Sequence, residues 1–165
     1  MTTIRAAGTA DIPVWAELRS RLWPEGSVAE HRAELPDWLA RSDTCSRIAV
    51  ASTGRVIGFL EGQLRSHADG CATSPVAYLE GWFVAREHRR AGVGRALVAS
   101  FEAWARKRGC EELASDTWPE NEASLQAHRR LGFEEVDCII TLRKPLDAGI
   151  AVPASSRPPA RWSES

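Results

Sequence analysis

Residues 89–94 read Arg89-Arg90-Ala91-Gly92-Val93-Gly94, directly after an apolar run and directly before an amphipathic stretch. Two glycines let a backbone approach a ligand closely. A helix starting there directs free N–H groups and its positive dipole end at whatever is bound. Such a strand-to-helix turn can cradle a phosphate or pyrophosphate, and it can equally be only a tight turn. Arg86, Arg89, Arg90 and Arg95 surround it with positive charge. Two other phosphate motifs fail: the third glycine of a dinucleotide fingerprint is missing, and so is the Gly-Lys-Ser/Thr of a P-loop.

Outward from this turn the chain reads as alternating elements. Val76–Val84 is the longest apolar run and predicts a central strand. Ala91–Arg108 predicts the best helix, with Val93, Leu97, Phe101 and Trp104 on one face and Gly109 past its end. Upstream, Thr3–Ala6 suits a first strand. A helix from Thr9 or Asp11 to about Leu22 follows, then a second from Ser27 to about Ala40 that Pro36 is expected to kink or divide. Ser46–Ala51 and Val56–Leu64 predict two antiparallel strands, and Ser66–Ser74 a polar loop. Downstream, Glu112–Ser115 predicts a strand, Asn121 caps a helix to about Leu131, and Val136–Leu142 predicts a last strand. The order is β-αα-β-β-β-α-β-α-β.

The chain has 165 residues, enough for one domain with a real core. Residues 1–146 are expected to form it. Residues 147–165 shift to Ala, Pro, Ser and Arg and have too little apolar material to fold alone. The formal net charge of −1 gives no basic field for nucleic acid. No apolar run approaches the ~18 residues of a membrane span. The N-terminus lacks a signal-peptide core, so a cytoplasmic protein is expected. Cys45, Cys71, Cys110 and Cys138 form no C-x-x-C pair and read as free thiols, and no metal is called for. Seven tryptophans exceed what a core of this size needs, so some are candidates to line a ligand site.

Strand, Arg-Arg-x-Gly-x-Gly and helix together resemble the acetyl-CoA pyrophosphate loop of the GNAT-superfamily N-acetyltransferases. A second segment, Asn121 through the helix to Leu131-Gly132-Phe133, resembles the superfamily's other cofactor motif. Both motifs occur in the expected order, and the match covers roughly residues 3–145. The resemblance implies an α/β (α+β) fold with a mixed, twisted central sheet flanked by helices, and acetyl-CoA as co-substrate. Phe83, Val84, Arg89–Arg95 and Asn121 would hold it. Asn121 has a second reading as a plain helix cap. Many relatives carry a tyrosine four residues before the glycine of Leu-Gly-Phe, where it protonates the departing thiolate; this chain has His128. A histidine can serve as an acid or merely pack and hydrogen-bond. Solvent or the helix end could take over the thiolate instead.

Acetyl transfer needs a neutral amine, hence a proton acceptor. Glu80 stands alone in the apolar run Tyr-Leu-Glu-Gly-Trp-Phe-Val, which is costly unless it has a partner or a task. Period-two alternation places Tyr78, Glu80 and Trp82 on one face. Asp116 ends the next strand, where α/β sites collect. Each has a structural reading, as an ion pair or cap, beside the substrate one. Further stretches, Glu17–Pro24, Thr73–Val84, His88–Gly94 and Ala114–Phe133, look like the aminoglycoside 6′-N-acetyltransferases. That resemblance implies acetylation of a 6′-amino group, antibiotic resistance and a homodimer. It also implies a drug site containing Glu80, Asp116, Trp23 and the Thr73–Val76 loop with Ser74, with Tyr78 beside them. Glu25 or His31 would add polar contacts. Trp23 is equally readable as core. Carboxylates around one site suit a polycation. Other amines remain open, whether a polyamine, an amino-sugar or a protein N-terminus, as does a non-catalytic acyl-CoA sensor.

Overall fold

The computed structural model describes residues 1–146, so the Pro/Ala/Ser-rich tail lies outside the described residues. Five strands form one sheet in sequence order: β1 (Thr3–Ala6), β2 (Thr44–Val50), β3 (Val56–Arg65), β4 (Val76–Val84) and β5 (Leu113–Ser115). β1 to β4 pair antiparallel, and β5 joins β4 in parallel. The sheet is therefore mixed, as expected.

Alternation along the strands separates two cores. Leu60 and Ala77 face α3 (Val93–Lys107), whose Leu97, Val98 and Phe101 are buried against them. Gly62 lies beneath the Phe101 ring, where a Cβ would collide. Ile48 and Phe59 face the other way and pack with Trp15, Leu18 and Leu35. Those come from α1 (Ile12–Leu22) and α2 (Val28–Ala40). α2 starts on a capping box, Ser27 with Glu30, and runs unbroken through Pro36, so the expected division does not occur. α4 (Glu122–Arg130) is capped by the Asn121 side chain, which accepts from Ser124 N at 3.2 Å.

Two expectations are corrected. The final strand Val136–Leu142 does not form. β5 has only three residues, and nothing in the described chain pairs with its outer edge. Val136, Ile139, Ile140 and Leu142 consequently stay between 61 % and 91 % exposed. Trp82 does not share a face with Tyr78 and Glu80. In the β3–β4 ladder Gly62 opposes Leu79 and Glu61 opposes Gly81, leaving Glu80 as an extra residue. This bulge inverts the alternation. Ala77 and Leu79 face α3 before it; Trp82 and Val84 do so after it.

Candidate active site

The bulge at Glu80 coincides with the end of the β4–β5 ladder. β5 stops at Ser115, opposite Leu79, whereas β4 continues to Val84. Among the described residues Glu80–Val84 has no strand neighbour on that side, so a fork opens between β4 and the edge strand β5. Main-chain polar groups so placed call for a ligand or water.

The Arg89–Gly94 turn closes the far end of the fork. Gly92 sits at φ 81° as the residue before α3, and Arg90 at φ 62°. A non-glycine residue in the left-handed region costs about 1–3 kcal/mol and clusters at ligand clamps. Two left-handed positions, Arg90 and Gly92, flank Ala91 and curl the backbone into a concavity suited to an anion. The helix's own bonding begins with Ala96 N to Gly92 O at 3.0 Å, so earlier N–H groups stay open. Val93 is buried and anchors the turn. Gly94 lies against Trp82, where a Cβ would collide with the indole. Arg90, Ala91 and Arg95 are exposed. Arg89 is engaged: its Nε donates to Val84 O at 2.9 Å, and its guanidinium stands 5.8 Å from the Phe83 ring. A pyrophosphate, with its charge and acceptor oxygens, fits this concavity, and an extended amide arm fits the unpaired edge of Glu80–Val84. Asn121 spends its carbonyl oxygen on the α4 cap, which leaves its amide NH₂ end for a ligand. Among the described residues no group of His, Cys, Asp or Glu is arranged to hold a metal.

The other side of the bulge is acidic and organised by arginine. Glu80 Oε1 accepts from Gln63 Nε2 at 2.6 Å and from Arg65 Nη2 and Nε at 2.6 and 3.1 Å. Its Oε2 receives no protein donor among the described residues. Arg65 also stacks on Tyr78, 3.4 Å from the ring centroid. Burial, then the Asp116 carboxylate beside it, pushes the Tyr78 phenol up to about 12. Glu80, Arg65, Tyr78 and Asp116 thus form one cluster.

The Trp23 ring is packed on one side, against Phe59 and over Gly81, and the residue is partly exposed. Arg19 stands 5.1 Å from that ring while reaching Glu61 at 3.2 Å and Glu34 at 3.0 Å. His31 is buried, with Nε2 3.1 Å from Trp23 O, so it clasps the α1–α2 connection and is withdrawn from any ligand. Glu25 and Ser74 are exposed. The loop before β4 is held by Glu112, whose carboxylate accepts from Ala72 N, Thr73 N and Thr73 Oγ1 at 2.9, 2.7 and 2.5 Å. His128 sits at the base of the fork, edge-on to Trp82 with centroids 5.7 Å apart.

Sequence reasoning missed Gln63, Arg65 and the Glu61–Arg19 pair. The signal was available. Glu61 is a lone carboxylate in the apolar run of β3, and Gln63 and Arg65 follow it at the same period-two spacing.

Residues 12–133 match the acetyltransferase (GNAT) family. The chain belongs to that family. Its members include an aminoglycoside N(6′)-acetyltransferase type 1 of Klebsiella aerogenes, to which this GNAT chain is 44 % identical over 146 residues, covering 87 % of this chain and 96 % of that one. A second, from Stenotrophomonas maltophilia, is 42 % identical, with 88 % and 94 % covered. Among solved structures, AAC(6′)-Iy in complex with the bisubstrate analogue CoA-S-monomethyl-acetylneamine superposes with TM-score 0.83 at 38 % identity, covering 88 % and 99 % of the two chains. AAC(6′)-Ih from Acinetobacter baumannii gives 0.84 at 32 %, covering 89 % and 100 %. As a GNAT acetyltransferase, this chain uses acetyl-CoA as acyl donor.

Proposed function

We propose that this enzyme transfers the acetyl group of acetyl-CoA to the 6′-amino group of aminoglycosides, conferring resistance, by direct attack within a ternary complex. The observation that carries this reading is Glu80. Gln63 and Arg65 anchor one oxygen, the other receives no donor among the described residues, and Tyr78 and Asp116 stand nearby. The anion concavity of residues 89–95, with Phe83, Val84 and Asn121, holds the CoA arm. Backbone N–H groups of β4 beyond the bulge polarise the thioester carbonyl. Glu80 Oε2 accepts the ammonium proton, directly or through Asp116 and water, and both carboxylates draw in the polycation. Trp23 offers its exposed edge to a sugar ring, with Ser74 and Glu25 at the rim. His128 supplies the proton for the leaving thiolate.

We also assign the protein to the cytoplasm, where acetyl-CoA is formed and free thiols such as Cys45 and Cys110 persist. No helix among the described residues is long and apolar enough to cross a membrane. A homodimer is supported by the exposed Val136–Leu142 segment and by the open edge of β5. Beside that edge lies a cavity of about 420 Å³ lined by Leu113, Ala114, Leu131 and Phe133. A second copy would bury both. Light scattering at micromolar concentration is expected to give the dimer mass; a monomer would remove this assignment.

Thiol release from acetyl-CoA is the direct test of activity. Release is expected on adding kanamycin or tobramycin and not spermidine. Asp116→Ala is expected to lower turnover or drug affinity while CoA binding persists. Release with spermidine alone would make the substrate a polyamine. No release with any amine, despite CoA binding, would leave a sensor.

A further inference from the structure

The hydrogen-bond chain around His128 resolves where its mobile proton resides. Nδ1 lies 2.8 Å from Ser124 O, and a carbonyl can only accept. Nδ1 also lies 3.3 Å from Ser124 Oγ; a hydrogen on Nδ1 serves both oxygens, and Nε2 is then the nitrogen left to exchange a proton. Among the described residues Nε2 faces a single group, Ser115 Oγ, at 3.0 Å. That hydroxyl lies 3.2 Å from Leu79 O, the last β4 residue paired with β5. Had β5 continued, the next main-chain N–H would serve that carbonyl; the hydroxyl replaces it at the apex of the fork.

Ser115 has one hydrogen and two takers. When Nε2 is bare, the hydroxyl donates to it. When Nε2 is protonated, it donates to Oγ, and the Ser115 hydrogen turns to Leu79 O or to a group bound in the fork. A hydroxyl whose orientation follows the charge of a neighbouring imidazole is the part a proton relay needs. The imidazole is held in place by ring edges, Trp82 at 5.7 Å and Phe133 at 5.1 Å between centroids.

We propose that Ser115 is a catalytic residue of this acetyltransferase, passing the His128 Nε2 proton to the sulfur of the departing CoA. The step rests on the placement of the thioester in the fork. As the amine nitrogen bonds the acetyl carbon, the C–S bond breaks and its electron pair goes to sulfur. Sulfur takes the Ser115 hydroxyl proton, and Oγ takes the proton from Nε2. His128 is left neutral with Nδ1–H still on Ser124 O. Glu80, having passed the ammonium proton on to solvent through water, takes up the second proton that the amine loses on attack, and solvent exchange restores both groups. His128 thus acts through Ser115 and has no need to reach the sulfur.

Single-turnover kinetics with saturating acetyl-CoA and kanamycin test the relay. Ser115→Ala is expected to slow acetyl transfer at least ~10-fold. CoA affinity by calorimetry, the KM for drug and the melting temperature should stay near wild type. Ser115→Thr, which keeps the hydroxyl, should restore most of the rate. His128→Gln should be slow, and replacing its neighbour as well, in Ser115→Ala/His128→Gln, should cost little more, because the two act as one unit. The wild-type solvent deuterium isotope effect should shrink in Ser115→Ala. Full activity in Ser115→Ala, additive losses in the double variant, or no rescue by threonine would each overturn the relay. Absence of CoA binding or of drug acetylation by the wild-type protein would instead overturn the site assignment on which it rests.

Discussion

The two halves of β4 make different use of the same strand geometry. Ala77–Leu79 has a strand on each side, and with Val76 before it is buried throughout. Glu80–Val84 keeps β3 on one side, has no strand on the other, and lies mostly half-buried. The bulge at Glu80 marks the change: it interrupts the pairing with β3, which resumes at Gly81, and inverts the faces. The paired half holds the sheet together. The half-paired one exposes main chain and a carboxylate where chemistry can use them.

Substitutions should separate these halves. The largest effect is expected at Phe101, whose ring covers Gly62, the β3 partner of Leu79. Phe101→Ala removes a fully buried ring and should cost about 4 kcal/mol in denaturant unfolding. Residual folded enzyme should still bind CoA. A loss under about 1 kcal/mol would mean that the paired half is not the structural one.

Next comes Glu80→Gln. It preserves volume and the contacts of one oxygen but removes the proton acceptor. Steady-state kinetics should show kcat/KM for the drug falling about 100-fold, within the range for general base catalysis. The unfolding midpoint should barely move. A large stability loss with little kinetic effect would reverse the roles of the two halves.

The smallest of the three lies at the base of the bulge. Burial raises the Glu61 carboxyl to about 7 from its ordinary 4.5, against the pull of Arg19 and with a push from Glu80. A carboxyl whose folded value is raised binds more protons folded than unfolded, so its contribution is complete below about pH 4.5 and is lost as pH rises through 7. The stability difference, wild type minus Glu61→Gln, should therefore fall across that window by an amount on the order of 2 kcal/mol. Melting curves from pH 5 to 8 check it. A difference that rises with pH would show that Arg19 dominates and keeps Glu61 ionised.

Much of the fold was legible because its signals are local. Period change located β2 and β3, a continuous apolar run located β4, the 3.6-residue period located α3, and Gly92 and Gly109 marked where α3 begins and ends. Both cofactor motifs are likewise local, since a turn and a helix cap need only a few adjacent residues. Trp82 was misread because a bulge belongs to a pair of strands: nothing in Tyr-Leu-Glu-Gly-Trp announces which residue the partner will skip. Val136–Leu142 was misread because a strand needs a neighbour as well as a pattern, and the described chain supplies none. Gln63 and Arg65 were overlooked because their tie to Glu80 spans 17 and 15 residues of chain.

The amino-acid order alone thus supplied most of the elements and the family resemblance, and named Glu80, Asp116 and His128 as candidate groups. Tertiary structure decided how those groups are aimed. Pairing of β3 with β4 made Glu80 the skipped residue, and the early end of β5 opened the fork and turned Ser115 from a strand residue into a link between Leu79 and His128. Both are properties of register between distant segments. Register is set by how whole faces bury against α1, α2 and α3, and no single stretch of sequence contains it.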